Sequence, residues 1–238
     1  MLSWIGAADN LRSFKIKTVT DLPGVGQNLQ DHLTSRIVYE SNLTHPTLNA
    51  PECAGLFVST KYASSNTPPD MQYIFVNIPA ENEKSSFLFL PVLATPKSRG
   101  TITLQSINPY QAPVIKANYL QQEEDLKVLV AGLKLAEEMA STKSFKKQRS
   151  TGERVFDSEN QIVEHIRNTA STMYHPVGTC KMGRDEMAVV KSDLTVHGIK
   201  GLRVADASIM PTLINANTNA TCMMIGEYAS DMIKKTKN

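Results

Sequence analysis

The chain has 238 residues, enough to bury a sizeable core in one large domain or two small ones. Hydrophobic residues make up 41% and charged residues 20%, the balance of an ordinary globular protein, and the formal net charge is only +2. With Lys and Arg spread along the chain, that charge argues against nucleic acid or an anionic membrane as the main partner, and no run of about 18 apolar residues marks a membrane span.

Residues 7–15 suit a short helix, and Thr18–Asp21 a short extended piece. Leu22-Pro-Gly-Val-Gly-Gln-Asn28 is a turn-rich connector, because Pro and two glycines oppose both helix and strand. Residues 35–40 have strand composition, and residues 63–70, with Ser64-Ser-Asn-Thr-Pro-Pro69, are expected to be an exposed loop. Residues 71–76, 86–93 and 100–106 are rich in β-branched and aromatic side chains, so three strands are expected, antiparallel in one sheet. Gln121–Ser141 carries Leu126, Leu129, Val130, Leu133, Ala136 and Ala140 at helical spacing. A second helix is expected over 159–170, a short strand over Leu202–Ala205, and a last helix over Thr218–Lys235. That last helix is expected to turn Met223, Met224, Tyr228 and Met232 toward its buried side.

Three cysteines, Cys53, Cys180 and Cys222, are odd in number and far apart, so neither a disulfide framework nor a zinc site is expected. The apolar start Met1–Ala8 has no basic lead and ends at Asp9, which makes it a poor secretory signal; the compartment stays open.

The chemistry concentrates in the last quarter. Pro176 drives His175 out of the helical region, and Gly178 keeps its loop slim. A histidine held there can exchange a proton near neutral pH; a purely structural histidine is the alternative. Asp206 follows the expected strand and is able to accept hydrogen bonds from ribose or ribityl hydroxyls, or to act as a turn cap. Asn215-Ala-Asn217-Thr218-Asn219 opens the last helix, whose positive end favours an anion or polarised carbonyl. Capping alone accounts for one of these asparagines but not three. Gly24-Val-Gly26 is no dinucleotide fingerprint, and Asp31 and His32 are expected to be structural. Of two glycosylation sequons, Asn42-Leu-Thr44 is the better acceptor than Asn219-Ala-Thr221 if the protein is secreted.

Five motifs occur in one order: Leu2-Ser-Trp-Ile-Gly6, Leu22–His32, Pro96-Lys-Ser-Arg-Gly-Thr101, Tyr174–Cys180 and the helix start at Asn217. Together they resemble the glucose–methanol–choline (GMC) family of FAD-dependent oxidoreductases, the insect glucose dehydrogenase-like members most of all. The resemblance implies an α+β substrate domain with an antiparallel sheet, plus a partial α/β FAD-binding domain that lacks its N-terminal βαβ unit. Its boundaries fall at 1–27 (FAD side), 28–183 (substrate side) and 184–238 (FAD side). It also implies oxidation of a small-molecule alcohol or sugar at its CH–OH group, with FAD as cofactor and oxygen or a quinone as electron acceptor. Secretion is a further implication, and no metal is implied. His175 is similar to the family's active-site histidine, and Asn217 occupies the second catalytic position. Asp206 and Ala207 match the segment touching the ribityl and pyrophosphate, and Asn217, Thr218 and Asn219 the amides facing the flavin ring. Two departures stand out: Trp4 replaces a glycine, and Lys191 replaces a common Asp. Without the βαβ unit, a truncated non-catalytic product or a carbohydrate-binding pseudoenzyme is the alternative.

Overall fold

The computed structural model describes residues 1–41, 52–78, 85–149 and 155–235. In chain order its elements are β1 (Ile5–Gly6), α1 (Ala8–Ser13), β2 (Thr20–Asp21), β3 (Leu33–Thr34), β4 (Ile37–Glu40), β5 (Glu52–Val58), β6 (Met71–Ile78), β7 (Ser86–Leu93), β8 (Thr101–Thr103), β9 (Val114–Lys116), α2 (Glu123–Ala140), α3 (Lys143–Lys146), α4 (Glu159–Thr169), β10 (Ser171–Thr172) and α5 (Asn219–Lys235). They fall into two compact units. The first holds Met1–Asp31, Ser98–Gln121 and Tyr174–Asn238; the second holds His32–Lys97 and Gln122–Met173.

The second unit is built on an antiparallel sheet in the order β10-β3-β7-β6-β5, with β4 also on β7. β7 pairs along its whole length with β6, and β3 and β4 share its other edge. Alternation in β4 sends Ile37 and Tyr39 inward and Val38 and Glu40 outward, as a period of two requires. Tyr39 stacks on Phe87 at 5.3 Å, and Phe145 meets Phe89 edge-on at 5.3 Å, so rings from strands and helix lock one core.

Helix α2 starts with Glu123, Glu124 and Asp125, acids at the positive end of its dipole. Leu129, Leu133, Ala136 and Ala140 are fully buried along its inner stripe, as their spacing predicts. Gly132 permits the contact with the sheet: a Cβ there would stand 2.7 Å from Pro91 Cβ and 2.8 Å from Met71 Cε. Tyr73 completes the contact by donating its hydroxyl to the Gly132 carbonyl. Ser158 caps α4 by accepting from Gln161 N.

The first unit packs Leu22, Val177, Val190, Leu194, Ile209 and Ile225 into one buried cluster. β1 and β2 pair in parallel, and β8 and β9 form an antiparallel pair.

Four expectations need correction. Only two of the three anticipated strands share a sheet: β8 leaves β6 and β7 after the turn-forming Pro96–Gly100 and pairs instead with β9. Leu202–Ala205 is not a strand. It runs beside Leu194–Val196 with a single bridge, Thr195 to Arg203, because the turn at Gly198 and Gly201 brings it back on one short partner only. The inner side of α5 carries Ile225 and Ala229, with Cys222 and Met232 against the same cluster. Met223, Met224 and Tyr228 are exposed instead. Finally, Asp70 at the end of the polar 63–70 loop is buried, its carboxylate accepting from Thr60 N at 2.7 Å and Thr60 Oγ1 at 2.6 Å. The Asn42–Thr44 sequon lies outside the described residues. Among the described residues no helix is long and apolar enough to cross a membrane.

Candidate active site

Every sequence-predicted site residue belongs to the first unit. Tyr174 precedes His175 in the left-handed region (φ 60), and Gly178 follows at φ 94. The backbone therefore turns on both sides of a histidine that Pro176 keeps extended. The His175 amide donates to Asp31 Oδ1 at 2.9 Å, and Tyr119 donates its hydroxyl to Asp31 Oδ2 at 2.5 Å. Burial pulls the His175 imidazole below the ordinary histidine range, and the Asp31 carboxylate partly opposes that. A neutral imidazole near pH 7 has a nitrogen lone pair ready to take a proton.

The loop is registered against the rest of the unit by backbone bonds. Val177 exchanges both hydrogen bonds with Gln30, at 2.9 and 3.0 Å. Cys180 N donates to Ser208 O at 2.9 Å and Met182 N to Ile209 O at 2.7 Å, so the strip after His175 runs alongside Asp206–Ile209. Asp206 is exposed, and one of its oxygens accepts from Ser208 N at 2.8 Å, capping a single 3-10 turn over Ala207–Ile209. It thus acts as a turn cap.

Asn217 and Asn219 are exposed and Thr218 is buried. Thr218 O accepts from Cys222 N at 2.9 Å, closing the first turn of α5. No acidic side chain stands in that turn, so the positive end of a 17-residue helix is not neutralised from within. The amides that open a helix have no partners inside it.

A connector sequence reasoning had assigned only to turns and structure organises all of this. Asn28 (φ 61) donates its side-chain amide to Gly178 O and Pro211 O, each at 3.2 Å. Gln30, 2% exposed, donates to Pro211 O at 3.1 Å and accepts from Leu213 N at 3.2 Å. The His175 loop and the segment approaching Asn217 are therefore joined through one short stretch, Asn28–Asp31. The local signal was a run of amide and acid side chains beside two glycines, and nothing in it says where the amides point. Tyr119 was also missed, since its partner is 88 residues away.

Among the described residues no three His, Cys, Asp or Glu side chains are grouped to hold a metal ion. Cys180 and Cys222 are free thiols, and burial raises the Cys180 thiol above its usual range.

The family model described as GMC oxidoreductase matches residues 96–226. The chain is 36% identical to an alcohol dehydrogenase [acceptor] of Pseudomonas putida over 98% of its own length and 48% of that protein's. It is 37% identical to an oxygen-dependent choline dehydrogenase of Escherichia coli, over 98% and 47% respectively. Among solved structures, pyridoxine 4-oxidase from Mesorbium loti superposes with a TM-score of 0.81 at 26% identity, over 97% of this chain and 47% of that one. The formate oxidase of Aspergillus oryzae RIB40 shares the fold with a TM-score of 0.86 at 24% identity, over 99% and 51%. The chain belongs to the GMC oxidoreductase family. It spans about half the length of the curated relatives it matches.

Proposed function

We propose that this chain supplies the substrate side and the flavin-ring side of an FAD-dependent oxidoreductase acting on the CH–OH group of an alcohol or sugar. The observation that carries the reading is the bonded path from His175 to the start of α5, through Val177, Gln30 and Leu213. It ties a proton acceptor to a helix start that favours negative charge.

The residues present fit FAD. An un-neutralised helix start with exposed Asn217 and Asn219 suits an electron-rich ring edge, and the exposed Asp206 suits sugar or ribityl hydroxyls. When bound, FAD would supply the hydride acceptor, and so the sink for the electron pair, that oxidation of the alcohol to a carbonyl requires. His175 takes the hydroxyl proton, for which its lowered pKa keeps the imidazole neutral. Asn217 orients the substrate oxygen. Asp206 and Ala207 would hold the cofactor's ribityl and pyrophosphate side, and Thr218 and Asn219 would offer the α5 amides to its ring as preorganised dipoles. The acceptor that regenerates the cofactor is oxygen or a quinone.

The first unit is the flavin-side body and the second the substrate-side body in this reading. In protein loaded with FAD, His175→Ala lowers turnover by about a hundredfold or more, as loss of a general base does. A loss under about tenfold would sink the assignment.

A further inference from the structure

We propose that Gln30 is a positioning residue for this chemistry: its main chain and side chain together set the spacing between the loop bearing His175 and the segment that delivers Asn217. The proposal rests on the roles given above to those two residues, which Gln30 itself does not have to touch.

Both ends of Gln30 are committed. Its main chain exchanges two bonds with Val177, at 3.0 and 2.9 Å, two residues past His175. Its side-chain amide donates to Pro211 O at 3.1 Å and to Asn28 O at 3.4 Å, and accepts from Leu213 N at 3.2 Å, four residues before Asn217. A primary amide is the side-chain group that donates and accepts at one planar end. No carboxylate or aliphatic chain of the same length reproduces the pattern. The residue is 2% exposed, so a lost bond is not replaced by bulk water.

A second observation points the same way. A Cβ on Gly178 would stand 2.5 Å from Asn28 O and 3.0 Å from Gln30 Nε2. The loop after His175 thus approaches the connector as closely as a backbone without side chain allows. Glycine at that site, together with the amide clamp, fixes a separation rather than merely filling space. An error of about 1 Å in such a spacing is worth about a hundredfold in rate.

The test is a double-mutant cycle in FAD-loaded protein, with turnover expressed per bound flavin so that losses of folded material cancel. Gln30→Leu is expected to lower turnover per flavin about 10- to 100-fold with KM changed less than about threefold. Gln30→Glu keeps the acceptor for Leu213 N but turns an oxygen that cannot donate toward the Pro211 and Asn28 carbonyls, so it is expected to lower turnover per flavin about 10-fold or more as well; it carries the test if the leucine variant does not fold. In the His175→Ala background the Gln30 effect is expected to shrink to under about threefold, because the aligned group is gone. Turnover per flavin within about twofold of wild type in both Gln30 variants would overturn the proposal, as would effects that multiply fully with His175→Ala. Should His175→Ala itself be inert, the functional reading fails instead. Hydrogen exchange at the Val177 and Leu213 amides then decides the clamp alone: faster exchange in the Gln30 variants supports it, unchanged exchange rejects it.

Discussion

Asp31 meets His175 in two ways: its carboxylate holds the loop amide, and its charge raises the affinity of the imidazole for a proton against the effect of burial. The pH dependence follows with a definite sign. The base works when neutral, so turnover falls as pH drops through the His175 pKa, which lies below the usual value of about 6.5. Asp31→Asn removes the charge that raises it, so the acid limb of the kcat profile moves to lower pH while the maximum falls as the loop loosens. A limb that moves upward contradicts the pairing. His175 was legible in the sequence because Pro176 and Gly178 dictate its backbone. Gln30 was not, because the value of its side-chain amide lies in one carbonyl and one amide, 181 and 183 residues away along the chain. Trp4 shows the reverse: the sequence flagged a ring where the family has glycine, and the residue sits at φ 68, in the region glycine favours.

Elements with one strong period were legible. α2 and α4 follow from apolar spacing, and β6 and β7 from composition. α5 was located correctly but turned to the wrong face, because apolar residues occur all around it. The stripe Cys222, Ile225, Ala229, Met232 competes with Met223, Met224 and Tyr228, and periodicity does not rank them. β5 was missed because Ala54 and Gly55 dilute its strand character, and β9 because it is three residues long. Two glycines give predictions at this scale. In an exposed helix Gly→Ala gains about 1 kcal/mol. At Gly132 the new methyl would meet Pro91 and Met71 below 3 Å, and overpacking costs about 1–3 kcal/mol, so Gly132→Ala is expected to lower the unfolding midpoint. Gly178→Ala is expected to cost more than about 1 kcal/mol, since φ 94 and the Asn28 carbonyl at 2.5 Å both oppose a side chain. Denaturant unfolding of each variant checks both; a raised midpoint in either contradicts the packing described.

At the scale of the whole molecule, the exposed side of α5 bears on how the protein behaves. Met224 and Tyr228 border an apolar groove of about 260 Å³ with Met182, Leu194 and Ile209, and Met223 is exposed beside them. Apolar surface of this kind favours association. The isolated 238-residue chain is therefore expected to be poorly soluble, and Met223→Gln with Met224→Gln to make it more monodisperse by light scattering; an already monodisperse parent contradicts this. The family was legible from five motifs that occur in one order. The division into two units was harder to see, since each unit is assembled from separated segments.

The most direct measurement is the visible spectrum of the purified protein supplied with FAD, recorded without oxygen before and after adding an alcohol or sugar. A stoichiometric flavin band that bleaches with a CH–OH donor, and bleaches at least about a hundredfold more slowly in His175→Ala, is the predicted result. A protein that takes up no flavin, or whose band persists with every alcohol and sugar offered, would contradict the account.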